Sequence, residues 1–183
     1  MAINFVNPFT PVVGKVPLHM AGREGVIADV EAALAGTGND PAIISLLVGP
    51  RGIGKTALLS YFADIAESSG WVTARVTCVK GMLDDILIRA QRSAQHLVNT
   101  QPSRKIKGAG IANLVSLEQE DSPHKLVNWR SKMDDILRSL ADCNIGLLVT
   151  IDEVNPSIEE MVTLVAAFQH FLDEGKKVAL IMA

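Results

Sequence analysis

The sequence predicts an α/β protein, a three-layer sandwich in which helices cover both faces of a mainly parallel sheet. Short apolar runs at 42–48, 71–78, 145–151 and 177–183 alternate with longer stretches of helical spacing. Strand–helix alternation is the pattern of a parallel sheet with covered faces. The run from Ile145 to Ile151 is apolar almost without a break, as strands buried on both sides are. An acidic pair, Asp152 and Glu153, closes that run, at the carboxyl end of a strand, where open α/β sheets bind ligands.

Each element follows from local chemistry. Residues 1–21 carry Pro8, Pro11 and Pro17 among apolar side chains, which suits an extended arm packed on the domain rather than a helix. The domain itself is expected to span 22–183. Val26, Ile27, Val30, Ala33 and Leu34 lie at helical spacing and Gly36 ends the helix. The first strand covers 42–48, and the following helix runs from about Lys55 to about Ala66, where Ser68, Ser69 and Gly70 stop it. From Trp71 to Cys78 apolar and polar residues alternate, predicting a half-buried strand. Met82 to Val98 reads as an amphipathic helix. Residues 100–123 are short, glycine-punctuated and weakly alternating, predicting a hairpin or loop insertion. Arg104, Lys105 and Lys107 form a basic cluster there that reads as a solvated face, since no aromatic residues interleave. A helix resumes after Pro123, the central strand follows, and Asn155-Pro156 is expected to open the next helix as cap and first residue. The last run, Val178 to Met182, is one more buried strand.

Composition sets the limits. The 183 residues are 48% hydrophobic and 20% charged, enough for one domain with a full core. A net charge of −3 gives no global attraction to nucleic acid. Cys78 and Cys143 lack metal-ligand spacing and read as buried thiols in a reducing compartment. The N-terminus lacks a secretory pattern and no run reaches membrane-spanning length, so a cytoplasmic location without membrane contact is expected. The histidines form no recognisable set.

The chemistry is concentrated at Gly49-Pro50-Arg51-Gly52-Ile53-Gly54-Lys55-Thr56. This is G-x-x-x-x-G-K-[ST], the P-loop, in its strand-to-helix setting. Gly49, Gly52 and Gly54 let backbone N–H groups approach a phosphate chain that side chains would block. The helix behind them, with Ala57 in its first turn, aims unpaired N–H groups and a positive dipole end at the same anion. Lys55 supplies charge to the β and γ phosphates and Thr56 a hydroxyl for Mg2+. A glycine-rich turn before an ordinary helix is the plainer alternative. Asp152 fits a Walker B element, expected to hold Mg2+ beside Thr56, and Glu153 would orient or deprotonate an attacking water; a carboxylate pair that merely caps the next helix is the alternative. Asn155 stands where a D-x-x-G element would need Gly, and no N-K-x-D motif occurs, so ATP or ADP is favoured over guanine nucleotides. The neighbouring Glu and a strand inserted between the two motif strands point to the hydrolytic (ASCE) division of P-loop proteins.

Taken in series, MAGREGVIADVEAAL, VGPRGIGKTALL and LLVTIDEV resemble the ATPase module of AAA+ and STAND proteins, close to the origin-recognition-like and archaeal-type ATPases. The resemblance covers about 18–183. It implies an adenine-side role for Gly22, Arg23 and Met20, and a sheet ordered 5-1-4-3-2. On that template the chain would be an N-terminal fragment stopping after the fourth core strand, without strand five, sensor, lid domain or arginine finger. Such a fragment should bind nucleotide better than it hydrolyses it, and its first strand should be an exposed apolar edge. Three functions are then in view: an ATPase driving a conformational cycle, a nucleotide switch that sets homo-oligomer assembly, or a DNA-associated ATPase, the last on the resemblance alone.

Overall fold

The structure, a computed structural model, describes residues 20, 22–36, 40–100 and 124–183. The expected arm at 1–21 falls outside these residues except for Met20, and the expected insertion, with Arg104, Lys105 and Lys107, falls outside them beyond Thr100.

The elements in chain order are α1 (Glu24–Ala35), a single 3-10 turn (Pro41–Ile43), β1 (Ile44–Leu46), α2 (Lys55–Ser68), β2 (Val72–Thr77) and α3 (Met82–Thr100). They continue with α4 (His124–Ala141), β3 (Leu147–Asp152), α5 (Glu159–Asp173) and β4 (Val178–Met182). The strands form one sheet of order β1-β4-β3-β2, every pair parallel. This is the order expected for the first four strands, and β4 lies between the two motif strands β1 and β3.

The three layers follow from strand alternation. Leu147, Val149, Ile151, Val178 and Leu180 turn to the face covered by α3, α4 and α5. Leu148, Ala179 and Ile181 turn to the face covered by α1 and α2. Aromatic residues are scarce but committed: Phe62, Phe168 and Phe171 are fully buried, each stabilising the fold by roughly 1.5–3 kcal/mol by transfer alone. Trp129 is buried too, and its indole N–H donates to the Leu83 carbonyl at 2.7 Å, tying α4 to the start of α3.

Several boundaries differ from expectation. The first strand is 44–46 rather than 42–48. Asp40 accepts from the Ala42 N–H at 2.9 Å and Ser45 donates to the Ala42 carbonyl at 2.7 Å, so local side-chain bonds hold 41–43 in a turn. Beyond Leu46 only the Leu47 N–H still reaches β4, at Met182. The sheet edge at β1 is apolar: Leu46 is 54% and Val48 87% exposed. Helix α2 runs two residues beyond Ala66, to Ser68.

Asn155-Pro156 does not open α5, which begins at Glu159 behind Ile158. The Asn155 side chain accepts from the Ser157 N–H at 3.0 Å, and its carbonyl from the Ile158 N–H at 3.2 Å. Asn here closes a turn on its own downstream backbone, a competitor of helix capping. On β2 the alternation holds, but the polar face is not simply solvated. Arg75 reaches Asp64 at 2.7 Å and Glu67 at 2.9 Å on α2, and Thr73 also bonds to Glu67. Burial works against the Arg75 charge, yet the two carboxylates outweigh it and raise its pKa.

Gly146, just before β3, shows how tightly the α1/α2 side is packed. A Cβ there would lie 2.4–2.6 Å from atoms of the Trp71 ring, while the Val72 N–H donates to its carbonyl at 2.8 Å. Trp71 is buried and has Lys177 Nζ 5.2 Å from the ring centroid, so the ring has little room to retreat. Gly146→Ala is expected to destabilise the fold by about 1–3 kcal/mol through overpacking, read as a lowered Tm in thermal denaturation.

Candidate functional site

The site forms at the carboxyl ends of β1 and β3. The loop leaving β1 bends through Gly52 (φ 85°) and Gly54 (φ 89°), backbone that L side chains adopt only with strain. Gly54 is the residue before α2, so the loop delivers its backbone directly to a helix N-terminus. A Cβ at Gly49 would stand 3.2 Å from the Ile53 side chain, which keeps the start of the loop narrow. No side chain caps α2; its first N–H groups are left for an anion.

Lys55 lies across this loop. Its Nζ donates to the Gly49 carbonyl at 2.9 Å and to the Pro50 carbonyl at 3.2 Å. The positive charge is therefore held over the ring of backbone that the glycines open. Pro50, Arg51, Gly52 and Gly54 are exposed, Ile53 is 45% exposed, and Ala57 is half-buried one turn into α2.

Across from the loop, β3 presents its terminal carboxylate. The Thr56 hydroxyl donates to Asp152 Oδ2 at 2.7 Å, and the Glu153 N–H donates to Asp152 Oδ1 at 3.0 Å. Residues 96 apart in sequence thus place a hydroxyl and a carboxylate in direct contact, the all-oxygen donor chemistry a hard divalent cation takes. A cleft of about 170 Å3 opens beside this pair, lined by Thr56, Ser60, Arg75, Thr77, Thr150 and Asp152.

Glu153 has left-handed backbone, φ 58°, unusual for a non-glycine residue and a mark of functional strain where it occurs. It is exposed, and its carboxylate accepts no hydrogen bond among the described residues. An oxygen base that is not already engaged can take a water's proton.

The third segment is Met20 to Glu24. Gly22 turns with φ 74°, the Arg23 N–H donates to the Met20 carbonyl at 3.1 Å, and the Arg23 guanidinium reaches the Ile53 carbonyl at 3.4 Å. Of the three, Arg23 is the residue seen to reach the glycine loop, at Ile53, while Met20 packs with the hydrophobic cluster between α1 and α2. The Glu24 carboxylate, which also accepts from the Gly22 N–H at 3.1 Å, is held below its usual pKa by its own N–H and then that of Gly22.

Two contacts at this end of the sheet had no signal in the sequence. The Asn155 N–H donates to Cys78 Sγ at 3.4 Å, linking the segment after Glu153 to the end of β2. Glu160 accepts from the Gly81 N–H at 2.7 Å and from the Leu83 N–H at 3.1 Å. In sequence Glu160 reads only as one of two acidic residues suited to a helix dipole.

Compared with known proteins, residues 19–182 match the family described as AAA ATPase domain. No curated protein and no solved structure matches the chain. No helix among the described residues is long and apolar enough to cross a membrane.

Proposed function

The chain belongs to the AAA ATPase domain family, an ATP-binding ATPase module, and on that premise we propose that it hydrolyses ATP in a Mg2+-dependent reaction that drives a conformational cycle. The observation that carries this reading is the 2.7 Å contact between Thr56 and Asp152, which joins the phosphate-side helix to the acidic strand end next to an unengaged Glu153.

In this reading the backbone N–H groups of Gly49 to Thr56 and the N-terminus of α2 bind the phosphate chain. Lys55 neutralises charge on the β and γ phosphates, and Met20, Gly22 and Arg23 border the adenine. Thr56 and Asp152 hold Mg2+, which when bound offsets the negative charge that builds on the phosphate oxygens. Glu153 takes a proton from water as the water oxygen bonds to the γ phosphorus. The bond from that phosphorus to the bridging oxygen breaks, leaving ADP and inorganic phosphate.

The test is equilibrium binding of ATP, ADP and GTP with and without Mg2+, alongside phosphate release and the oligomer mass in each nucleotide. Tight, Mg2+-dependent ATP binding with measurable phosphate release is expected. Binding without any phosphate release, together with a mass that differs between ADP and a non-hydrolysable ATP analogue, would replace this reading with an assembly switch.

A further inference from the structure

Glu153 has no side-chain partner among the described residues, so its position depends on the backbone that carries it. That backbone, residues 153–158, is anchored to the strands on either side of β3. The Val154 N–H donates to the Ala183 carbonyl at 2.8 Å, just past β4. On the other side the Asn155 N–H donates to Cys78 Sγ at 3.4 Å, the thiol points back to the Asn155 carbonyl at 3.8 Å, and the Cys78 N–H donates to the Asp152 carbonyl at 2.9 Å. Immediately after the loop, α5 begins, and in its first turn Glu160 reaches sideways to a different helix.

Both Glu160 oxygens are used: Oε1 takes the Gly81 N–H at 2.7 Å and Oε2 the Leu83 N–H at 3.1 Å. These are N–H groups at the start of α3, which have no acceptor within their own helix. A carboxylate there makes charge-assisted bonds and meets the positive end of the α3 dipole. Gly81 turns with φ 90°, so the chain from Cys78 to Met82 is bent back toward α5. The two segments that flank the Glu153 loop, 78–83 and 159–160, are thereby closed on each other by one side chain.

We propose that Glu160 is a positioning residue for hydrolysis: by clamping the N-terminus of α3 to the start of α5 it fixes the loop that carries Glu153. The inference rests on Glu153 being the base that activates water. It assigns Glu160 no contact with nucleotide, whose phosphate-side residues lie on the loop before α2. A misplacement of about 1 Å far from the chemistry can cost on the order of 100-fold in rate, while binding on the other side of the cleft is spared. Loosening the clamp should therefore act on turnover and not on affinity.

Glu160→Ala and Glu160→Gln test this. Amide hydrogen exchange is read at 153–158 and at 49–56, with ATP affinity and turnover at saturating ATP measured in parallel and Glu153→Gln as control. Glu160→Ala is expected to speed exchange at 153–158 but not at 49–56, and to lower turnover by about tenfold or more with ATP affinity within about twofold of wild type. Glu160→Gln keeps the side chain's volume and one acceptor, and should fall between; it decides the question if the alanine variant fails to fold. Unchanged exchange at 153–158, or equal losses of affinity and turnover, would overturn the clamp. If Glu153→Gln turns over like wild type, the assignment of Glu153 fails instead, and the exchange result still decides whether Glu160 fixes the loop.

Discussion

Glu153→Gln is expected to bind ATP with wild-type affinity and to lose at least about 100-fold in turnover, because a positioned general base contributes roughly 10²–10⁴ to rate. The substitution is close to isosteric and touches nothing else that is bonded: the Glu153 N–H to Asp152 Oδ1 is a backbone contact and survives it. The left-handed backbone, φ 58°, is not a reason for the Glu side chain over Gln, so folding is unaffected. What changes is the ability to hold a proton at the carboxylate. Phosphate release at saturating ATP, with affinity from equilibrium titration, checks both halves. Equal turnover in the two proteins would remove Glu153 from the chemistry and leave Asp152 to be understood as a cation ligand only.

The contrast with Asp152 sharpens the assignment. Two adjacent carboxylates at the end of one strand are chemically alike in sequence, yet they sit in different surroundings. Asp152 has both oxygens engaged, by the Thr56 hydroxyl and by the Glu153 N–H, and is half-buried at the strand end. Glu153 is exposed and its carboxylate is unengaged among the described residues. The engaged group is suited to fixing an ion and the unengaged one to accepting a proton, so in the proposed mechanism the pair would divide its roles by environment rather than by residue type.

Much of this was readable from residues because it depends on period and on local backbone needs. Strands buried on both faces, such as Leu147–Asp152 and Val178–Met182, announce themselves as apolar runs. The loop from Gly49 to Thr56 is legible because glycine at Gly52 and Gly54 answers a positive φ. The contacts that escaped are those in which one side chain serves a distant backbone. Nothing in the sequence around Glu160 distinguishes it from Glu159, since both sit in the first turn of α5; only the approach of α3 gives one of them two N–H groups. Asn155 carried the right chemistry for a cap, but a turn to Ser157 claimed it first. The strand at β1 came out short for a similar reason, with Asp40 and Ser45 holding the preceding residues in a turn.

Lys55→Ala is expected to weaken ATP binding by about 100-fold or more, which corresponds to roughly 2.7 kcal/mol, with the fold intact. Lys55 spans the glycine loop, donating to both the Gly49 and Pro50 carbonyls at 2.9 and 3.2 Å. Its loss therefore removes two things at once: a positive charge facing the phosphates and a brace that holds the loop's carbonyls together. The carbonyls lie at a half-buried or exposed surface, where water can replace the ammonium, so stability changes little. Lys55→Met separates packing from charge, because it keeps most of the aliphatic stem while deleting the ammonium. If charge and donor geometry carry the binding, the methionine and alanine variants lose affinity alike, and added salt weakens the wild type toward them. If affinity in Lys55→Met stays within about threefold of wild type, phosphate recognition must come from the loop N–H groups and the α2 dipole without Lys55.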